Sequence, residues 1–246
     1  MDGPNLNYIF YKKYYEGIGH DENSNAAVRR CNLILMNAKF QEEVKFPEEK
    51  LCNRSFDLRI KYPGLLIGMG MLHGTGKSDD EIKAGITLDY VTGMPYIPAT
   101  SVKGILRGAF RGVKTVYVEE KLGLESAKVK ELETKIFGDE AESSGGKGSD
   151  TFWDAQIISG NTQGKMLGKD NITPHKRMIS DPEPINTIKL LPDVKLRFYF
   201  SLAESVLEDG TKITVDQKTD LFKNILMDFG AGAKTNTGYG TLSEDV

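Results

Sequence analysis

Gly230-Ala-Gly-Ala-Lys-Thr-Asn-Thr-Gly-Tyr-Gly240 is a glycine-rich loop that follows a predicted amphipathic helix over 216–229 and precedes a predicted closing strand. One glycine is enough to end a helix, so the repeated glycines indicate a further role. They are Gly230, Gly232, Gly238 and Gly240. Backbone N–H groups in such a loop suit an anion, and Lys234, Asn236 and Tyr239 add a charge, an amide and a ring for stacking. The loop is therefore predicted to bind a nucleic-acid backbone, and the alternative is a tight turn between helix and strand.

A second feature is a basic helix that begins after Pro98, with Thr100 or Ser101 as its predicted N-cap. Its predicted apolar stripe consists of Val102, Ile105, Leu106, Ala109 and Phe110. The segment 101–115 contains basic residues and no acidic one. Lys103, Arg107 and Arg111 recur at four-residue steps, so they are predicted to share one helix face and to contact phosphates. The alternative is a basic face that meets only solvent.

The order of the elements predicts an α+β fold. The predicted helices lie at 7–15, 25–40, 101–110, 125–137 and 216–229. The predicted strands lie at 56–67, 151–158 and 195–202, with a strand and turn over 86–98 and a closing strand after the last helix. A solvated loop is predicted at 140–149, and an irregular segment separates the strands at 151–158 and 195–202. Without its insertions this is the ferredoxin-like (RRM-like) order. We predict a single domain over 1–246, with a helical preface at 1–50 and a ferredoxin-like core at 51–246.

The composition is that of an ordinary globular protein. The 246 residues include 32 Lys and Arg against 35 Asp and Glu, for a formal net charge of -3. This total argues against a basic nucleic-acid coat, although local patches determine binding. We see no signal-peptide core, and the apolar run at 62–76 is shorter than the about 20 residues of a membrane span, so we expect a cytoplasmic protein. Cys31 and Cys52 are not in a CxxC motif, so we expect reduced thiols.

No catalytic apparatus is visible in the sequence. The segment 70–78 is similar to a phosphate-binding P-loop around Lys77, but Met71 stands where the motif needs glycine. The histidines do not share metal-ligand spacing; they are His20, His73 and His175. We therefore expect no catalytic residue, no metal site and no cofactor.

Several segments resemble the RAMP proteins of CRISPR systems, whose ferredoxin-like domains end in a glycine-rich loop. These segments are Gly64-Leu-Leu-Ile-Gly-Met-Gly-Met-Leu-His-Gly-Thr-Gly76, Gly93-Met-Pro-Tyr-Ile-Pro-Ala-Thr-Ser-Val-Lys-Gly-Ile-Leu-Arg107, Phe152-Trp-Asp-Ala155, Ile172-Thr-Pro-His175 and Ala233-Lys-Thr-Asn-Thr-Gly-Tyr-Gly240. The last two are similar to the family of sixth subunits of the Cmr complex, the type III-B RNA-silencing effector.

The resemblance implies a non-catalytic, RNA-binding structural subunit near the 3′ end of the guide RNA, in a complex whose backbone subunits cut target RNA. The implied partners are guide RNA, target RNA, the repeating backbone RAMP, the other terminal RAMP and the small helical subunit, with no membrane. The predicted RNA-binding residues are Lys103, Arg107, Arg111, His73, Lys77, Gly230, Gly232, Lys234, Asn236, Gly238, Tyr239 and Gly240. Two alternatives stay open. One is a metal-independent RAMP endoribonuclease that processes guide precursors with His73 or His20 as acid–base group, and the other is an NTPase that uses Lys77.

Overall fold

The computed structural model describes residues 4–16, 23–41, 51–76, 78–139, 146–173 and 184–244. The predictions on Lys77, His20 and His175 lie outside these ranges, as do 42–50 of the helical preface and 140–145 of the predicted loop. No helix within the described ranges is long and apolar enough to cross a membrane.

Helices and strands alternate along the chain. An N-terminal helical stretch combines α-helical turns at Leu6–Tyr8 and Tyr14–Glu16 with a π-helical turn at Ile9–Lys13. The longer helices are α1 (Asn23–Asn37), α2 (Ala99–Ala109), α3 (Thr115–Leu122), α4 (Ser126–Phe137) and α5 (Val215–Phe229). The strands are β1 (Arg54–Ile60), β2 (Tyr96–Ile97), β3 (Thr151–Phe152), β4 (Ala155–Ser159), β5 (Leu167–Ile172), β6 (Ile185–Leu190), β7 (Lys195–Ser201), β8 (Ser205–Val206), β9 (Lys212–Ile213) and β10 (Leu242–Ser243). The predicted α+β class is confirmed.

A central antiparallel sheet organises these elements. Its strands lie in the order β10-β1-β7-β4-β2, and β3 also pairs with β7. In the register of β1 and β7, Leu58 pairs with Leu196 and Asp57 with Arg197. Both leucines are buried, whereas the Arg197 guanidinium donates two hydrogen bonds to the Asp57 carboxylate. Successive side chains thus point to opposite faces, one apolar and one charged.

Aromatic side chains pack the helices onto the buried face of the sheet. The ring of Phe222 in α5 lies 5.6 Å from that of Phe200 in β7, and Phe137 in α4 stacks at 5.3 Å on Phe152 in β3. All four side chains are buried. The core therefore lies between the sheet and the helices. It supports α2 and also α5, the helix that leads into the glycine-rich loop.

The elements with a strong local apolar pattern are predicted correctly. The helices at 7–15, 25–40, 125–137 and 216–229 and the strand at 195–202 are confirmed, with small shifts at their ends. Four residues of the predicted stripe of α2 are buried, Val102, Leu106, Ala109 and Phe110, whereas Ile105 is half-buried at the cleft described below.

Three predictions about elements are wrong, and one helix has no predicted counterpart. The strand at 56–60 does not continue to 67, because a turn follows β1 and Leu65 forms only an isolated bridge to Leu190. Over 86–98 the predicted turn is present, with Leu88 bridging to Pro95 across it, but of the predicted strand and arm only β2 is a strand. In the described parts of the segment between β4 and β7, 160–173 and 184–194, the chain is not irregular throughout, since β5 and β6 pair over six positions. The helix α3 was not predicted.

Candidate nucleic-acid interface

A cleft of about 490 Å³ lies where three segments singled out in the sequence meet. Its walls are formed by residues 66–70, by Pro98, Ser101 and Gly104 at the start of α2, and by Gly232 with Ala233. Much of the lining is backbone or small side chain, which allows a polymer backbone to approach closely. The structure therefore brings the predicted loop and the predicted helix together at one surface.

The glycine-rich loop is fastened to the segment that follows β1. The Gly240 N–H donates to the Gly64 carbonyl at 2.8 Å, and the Ala233 N–H donates to the Leu66 carbonyl at 2.9 Å. The Ala231 N–H closes the loop on the Gly240 carbonyl at 2.9 Å. The loop is thus a fixed wall of the cleft.

Two glycines of this loop are required by close backbone contacts. Gly232 and Gly240 have φ values of +78° and +73°, in the left-handed region. A Cβ at Gly240 would lie 1.7 Å from the Ala231 oxygen, and one at Gly232 would lie 2.3 Å from the Leu66 oxygen. The glycine content that suggested an anion site is therefore explained in part by packing.

The N–H groups of the loop are used differently from the prediction. Those of Gly230, Gly238 and Gly240 donate to carbonyls of the protein itself. The Gly232 N–H has no acceptor among the described residues and lies in the wall of the cleft. The expectation that several N–H groups of the loop are free to bind an anion is therefore corrected. Of the four glycine N–H groups, only that of Gly232 lacks an acceptor within the described ranges, and Gly232 lines the cleft.

The start of α2 is capped by a distant residue. Neither Thr100 nor Ser101 is the N-cap; the helix begins at Ala99 after Pro98. The Ala99 N–H donates to Oδ1 of Asp154 at 2.6 Å. Because Asp154 lies 55 residues away, local sequence could not identify this cap, although the Phe-Trp-Asp-Ala segment contained it. Asp154 fixes the end of α2 that lines the cleft.

The predicted basic face is only partly exposed. The Nε atoms of Arg107 and Arg111 each donate to Oε1 of Glu133 in α4 at 2.7 Å, and Arg107 also donates to the Gly138 carbonyl at 2.9 Å. The Arg107 side chain is only 15% exposed. The alternative of a basic face that meets only solvent is wrong for Arg107, because Glu133 in α4 supplies an acid that α2 itself lacks. Lys103 is half-buried and forms no ion pair with the described part of the chain.

The remaining polar residues of the loop differ in their surroundings. The Tyr239 hydroxyl donates to Oδ2 of Asp170 at 2.9 Å, and Nζ of Lys189 lies 2.7 Å from the same oxygen. Burial, together with this hydrogen bond to a carboxylate, raises the pKa of Tyr239 to about 12. Tyr239 therefore anchors the loop on β5 and β6. Lys234 is half-buried in a left-handed conformation, and Asn236 is exposed.

His73 is buried, and its position corrects the prediction that it contacts RNA from a surface loop. The residue is 3% exposed, and its ring stacks on Phe10 with 3.6 Å between centroids. Nδ1 lies 2.9 Å from the Ile82 carbonyl and Nε2 lies 2.7 Å from the Phe10 carbonyl. Burial lowers the pKa of His73, against the opposing effect of these carbonyls. The side chain joins the N-terminal helical stretch to the loop after β1.

Sequence comparison connects this arrangement with known proteins. The model of the RAMP superfamily matches residues 57–243. The chain is 31% identical over 159 residues to the CRISPR system CMR subunit Cmr6 of Saccharolobus solfataricus, covering 63% of this chain and 47% of that protein. The chain thus spans about half the length of this curated relative.

One of two similar solved structures shows the same fold. A chain in the cryo-EM structure of the type III-B Cmr-beta complex bound to cognate target RNA superposes with a TM-score of 0.60 at 23% identity, over 95% of this chain and 79% of that chain. The crystal structure of Cmr6 from Pyrococcus furiosus gives a TM-score of 0.45 at 21% identity, over 78% of this chain and 97% of that chain.

Proposed function

The chain belongs to the RAMP superfamily, and from this membership we propose that it is a non-catalytic, RNA-binding structural subunit of a cytoplasmic type III-B CRISPR effector complex. In this proposal it lies near the 3′ end of the guide RNA. Its partners are guide RNA, target RNA, the repeating backbone RAMP, the other terminal RAMP and the small helical subunit. The sequence similarity to Cmr6 supports this choice within the superfamily.

The observation that carries the proposal is the cleft between residues 66–70, the start of α2 and the glycine-rich loop. The Gly232 N–H supplies positive partial charge there, whereas the Asp154 carboxylate already occupies the N-terminal end of α2. Lys103 in α2 and Lys234 in the loop add full charges without described ion-pair partners. Such a surface suits a phosphate backbone, and we propose that Lys103, Gly232, Lys234 and Asn236 contact RNA.

The finer fold assignment is ferredoxin-like, within a single RAMP domain. The elements β1, α2, β4, β7, α5 and β10 follow in the order strand, helix, strand, strand, helix, strand. Their strands lie side by side as β10-β1-β7-β4, all antiparallel. This arrangement supports the split βαβ topology.

The non-catalytic part of the proposal is supported by the surroundings of His73. A general base must reach a substrate proton, whereas both ring nitrogens of His73 lie against backbone carbonyls in the interior. Arg107 and Tyr239 are positioning residues in this proposal. Arg107 holds α2 through Glu133, and Tyr239 holds the glycine-rich loop through Asp170.

The test is RNA binding by the assembled complex as a function of salt. Each phosphate contact to a single strand contributes about 0.7 to the slope of log affinity against log salt. Changing Lys103→Ala together with Lys234→Ala should flatten the slope by about 1.4 and weaken binding. Lys212→Ala, which removes an exposed lysine of β9, is the matched control and should leave the slope unchanged.

Two results would contradict the proposal. One is a complex that assembles without this chain and binds guide RNA equally well. The other is cleavage of guide precursor by the purified protein in EDTA, which would favour the endoribonuclease alternative.

A further inference from the structure

Tyr62 is an exposed aromatic residue beside the glycine-rich loop. The residue is 84% exposed, in the turn that connects β1 to residue 64. The backbone of the turn is fixed on both sides, because the Lys61 N–H donates to the Thr241 carbonyl and the Gly64 N–H donates to the Lys61 carbonyl, both at 2.9 Å. A large ring thus stands in solvent on an ordered support.

The turn lies against the tip of the loop. The Cδ atom of Pro63, the next residue, is 3.9 Å from the point where a Cβ at Gly238 would lie. The Gly240 N–H donates to Gly64 at the end of the same turn. Burial is the main cause of the raised pKa of Tyr239, and the nearby Tyr62 adds to it. The exposed ring and the glycine-rich loop therefore form one continuous surface.

The charges on the Tyr62 turn and on the glycine-rich loop distinguish between possible ligands. Lys61 is exposed and Lys234 is half-buried, and neither forms an ion pair with a residue in the described ranges. An apolar protein patch would leave both cations without partners. A single-stranded nucleic acid satisfies both features, because its phosphates meet the cations and its bases stack on aromatic rings.

We propose that Tyr62 stacks on an unpaired nucleobase of the RNA strand whose phosphates pass Lys61 and Lys234. This inference rests on the proposed RNA-binding function and adds a base contact to its phosphate contacts. Every base has a π-face, so the contact tolerates any base. Tyr62 thereby fixes where one nucleotide lies along the strand without reading its identity.

The test compares two strands of equal length, an oligouridylate of about 16 nucleotides, at the upper end of single-strand site sizes, and the corresponding abasic ribose-phosphate strand. Tyr62→Ala should weaken binding of the oligouridylate by about 5-fold or more, the lower end of the stacking range. It should leave binding of the abasic strand unchanged. Tyr62→Trp and Tyr62→Phe keep a stacking ring and should bind within about 3-fold of the wild type.

Tyr90→Ala is the matched control. Tyr90 is also 84% exposed, but it lies in another turn, where Asn5 donates to its carbonyl, and its removal should not affect either strand. Stacking is refuted if the wild type binds the oligouridylate with a salt-dependent affinity that Tyr62→Ala leaves unchanged, or weakens equally for the abasic strand. Loss of complex assembly with intact RNA binding would instead assign Tyr62 to a protein contact. If the wild type binds neither strand, the proposed function falls together with this inference.

Discussion

Gly240 and Gly238 belong to the same loop and both have positive φ values, +73° and +91°, yet the structure gives them different tolerance for a side chain. A Cβ at Gly240 would collide with the Ala231 carbonyl, whereas one at Gly238 would meet only Pro63 at 3.9 Å. Gly240→Ala should lower the free energy of unfolding by about 3 kcal/mol or more, since steric overlap adds to the cost of the left-handed conformation. Gly238→Ala should cost only about 1–2 kcal/mol. Urea unfolding of the two variants measures the difference.

The comparison also separates packing from binding in this loop. Gly238→Ala keeps the fold and adds one methyl group at the exposed tip beside Pro63, so a change in its RNA affinity reports on the surface that Tyr62 shares with the loop. Equal unfolding free energies for Gly238→Ala and Gly240→Ala would contradict the described loop geometry.

Elements with a local pattern could be predicted from the sequence, and contacts between distant elements could not. The apolar stripe of α2 repeats every three to four residues and identified that helix. The partner of Arg107 lies 26 residues away in α4, and the cap of Ala99 lies 55 residues away. The sequence pattern does not predict β5 and β6. Gly168, Asp170 and Asn171 in β5 and Asn186 in β6 are residue types that are depleted in strands.

The hairpin of β5 and β6 anchors the glycine-rich loop through Asp170. Burial alone would raise the pKa of this carboxyl, but hydrogen bonds from Lys189, Tyr239 and the Asn171 N–H outweigh it, so the pKa is lowered below its usual 3.8. The charged form is therefore favoured in the folded state. This contribution to stability is present above about pH 4 and is lost as the pH falls through the lowered pKa. The hairpin and the loop should separate more easily in acid.

Asp170→Asn should lower the free energy of unfolding by about 1–2 kcal/mol at pH 7, the scale of hydrogen bonds to a charged group. It should also reduce the loss of stability of the protein as the pH falls below about 4. Chemical unfolding at a series of pH values measures both effects. Tyr239→Phe should destabilise the wild type more than it destabilises the Asp170→Asn variant, because the Tyr239 hydrogen bond then no longer meets a charged acceptor. Additive effects of the two changes would show that the residues are not coupled.

At the scale of the whole molecule, a buried centre around His73 helps to attach the N-terminal elements to the RAMP region, beside polar contacts such as those of Tyr11 with Ile86 and Arg29 with Asp80. Residues 4–41 lie outside the family match at 57–243, and His73 connects the two parts through Phe10 and Ile82. The hydroxyl of Tyr15 donates to the His73 carbonyl at 2.7 Å, and the Tyr14 hydroxyl accepts from the Ile82 N–H at 2.9 Å. Rings and hydrogen bonds from the N-terminal helical stretch therefore enclose this histidine.

His73→Ala should release the N-terminal helical stretch without affecting RNA binding directly. The change removes a stacked ring and leaves the Phe10 and Ile82 carbonyls without their contacts, so the free energy of unfolding should fall by about 2–4 kcal/mol. Limited proteolysis should cut the variant faster near the N-terminus, while the salt slope of RNA binding stays that of the wild type, because no phosphate contact is lost. Cleavage of target RNA by the assembled complex should remain within a few-fold. A variant with wild-type stability that loses cleavage or RNA binding about 100-fold, the scale of a missing acid–base group, would instead place His73 in the functional site, and the endoribonuclease alternative would then replace the structural role.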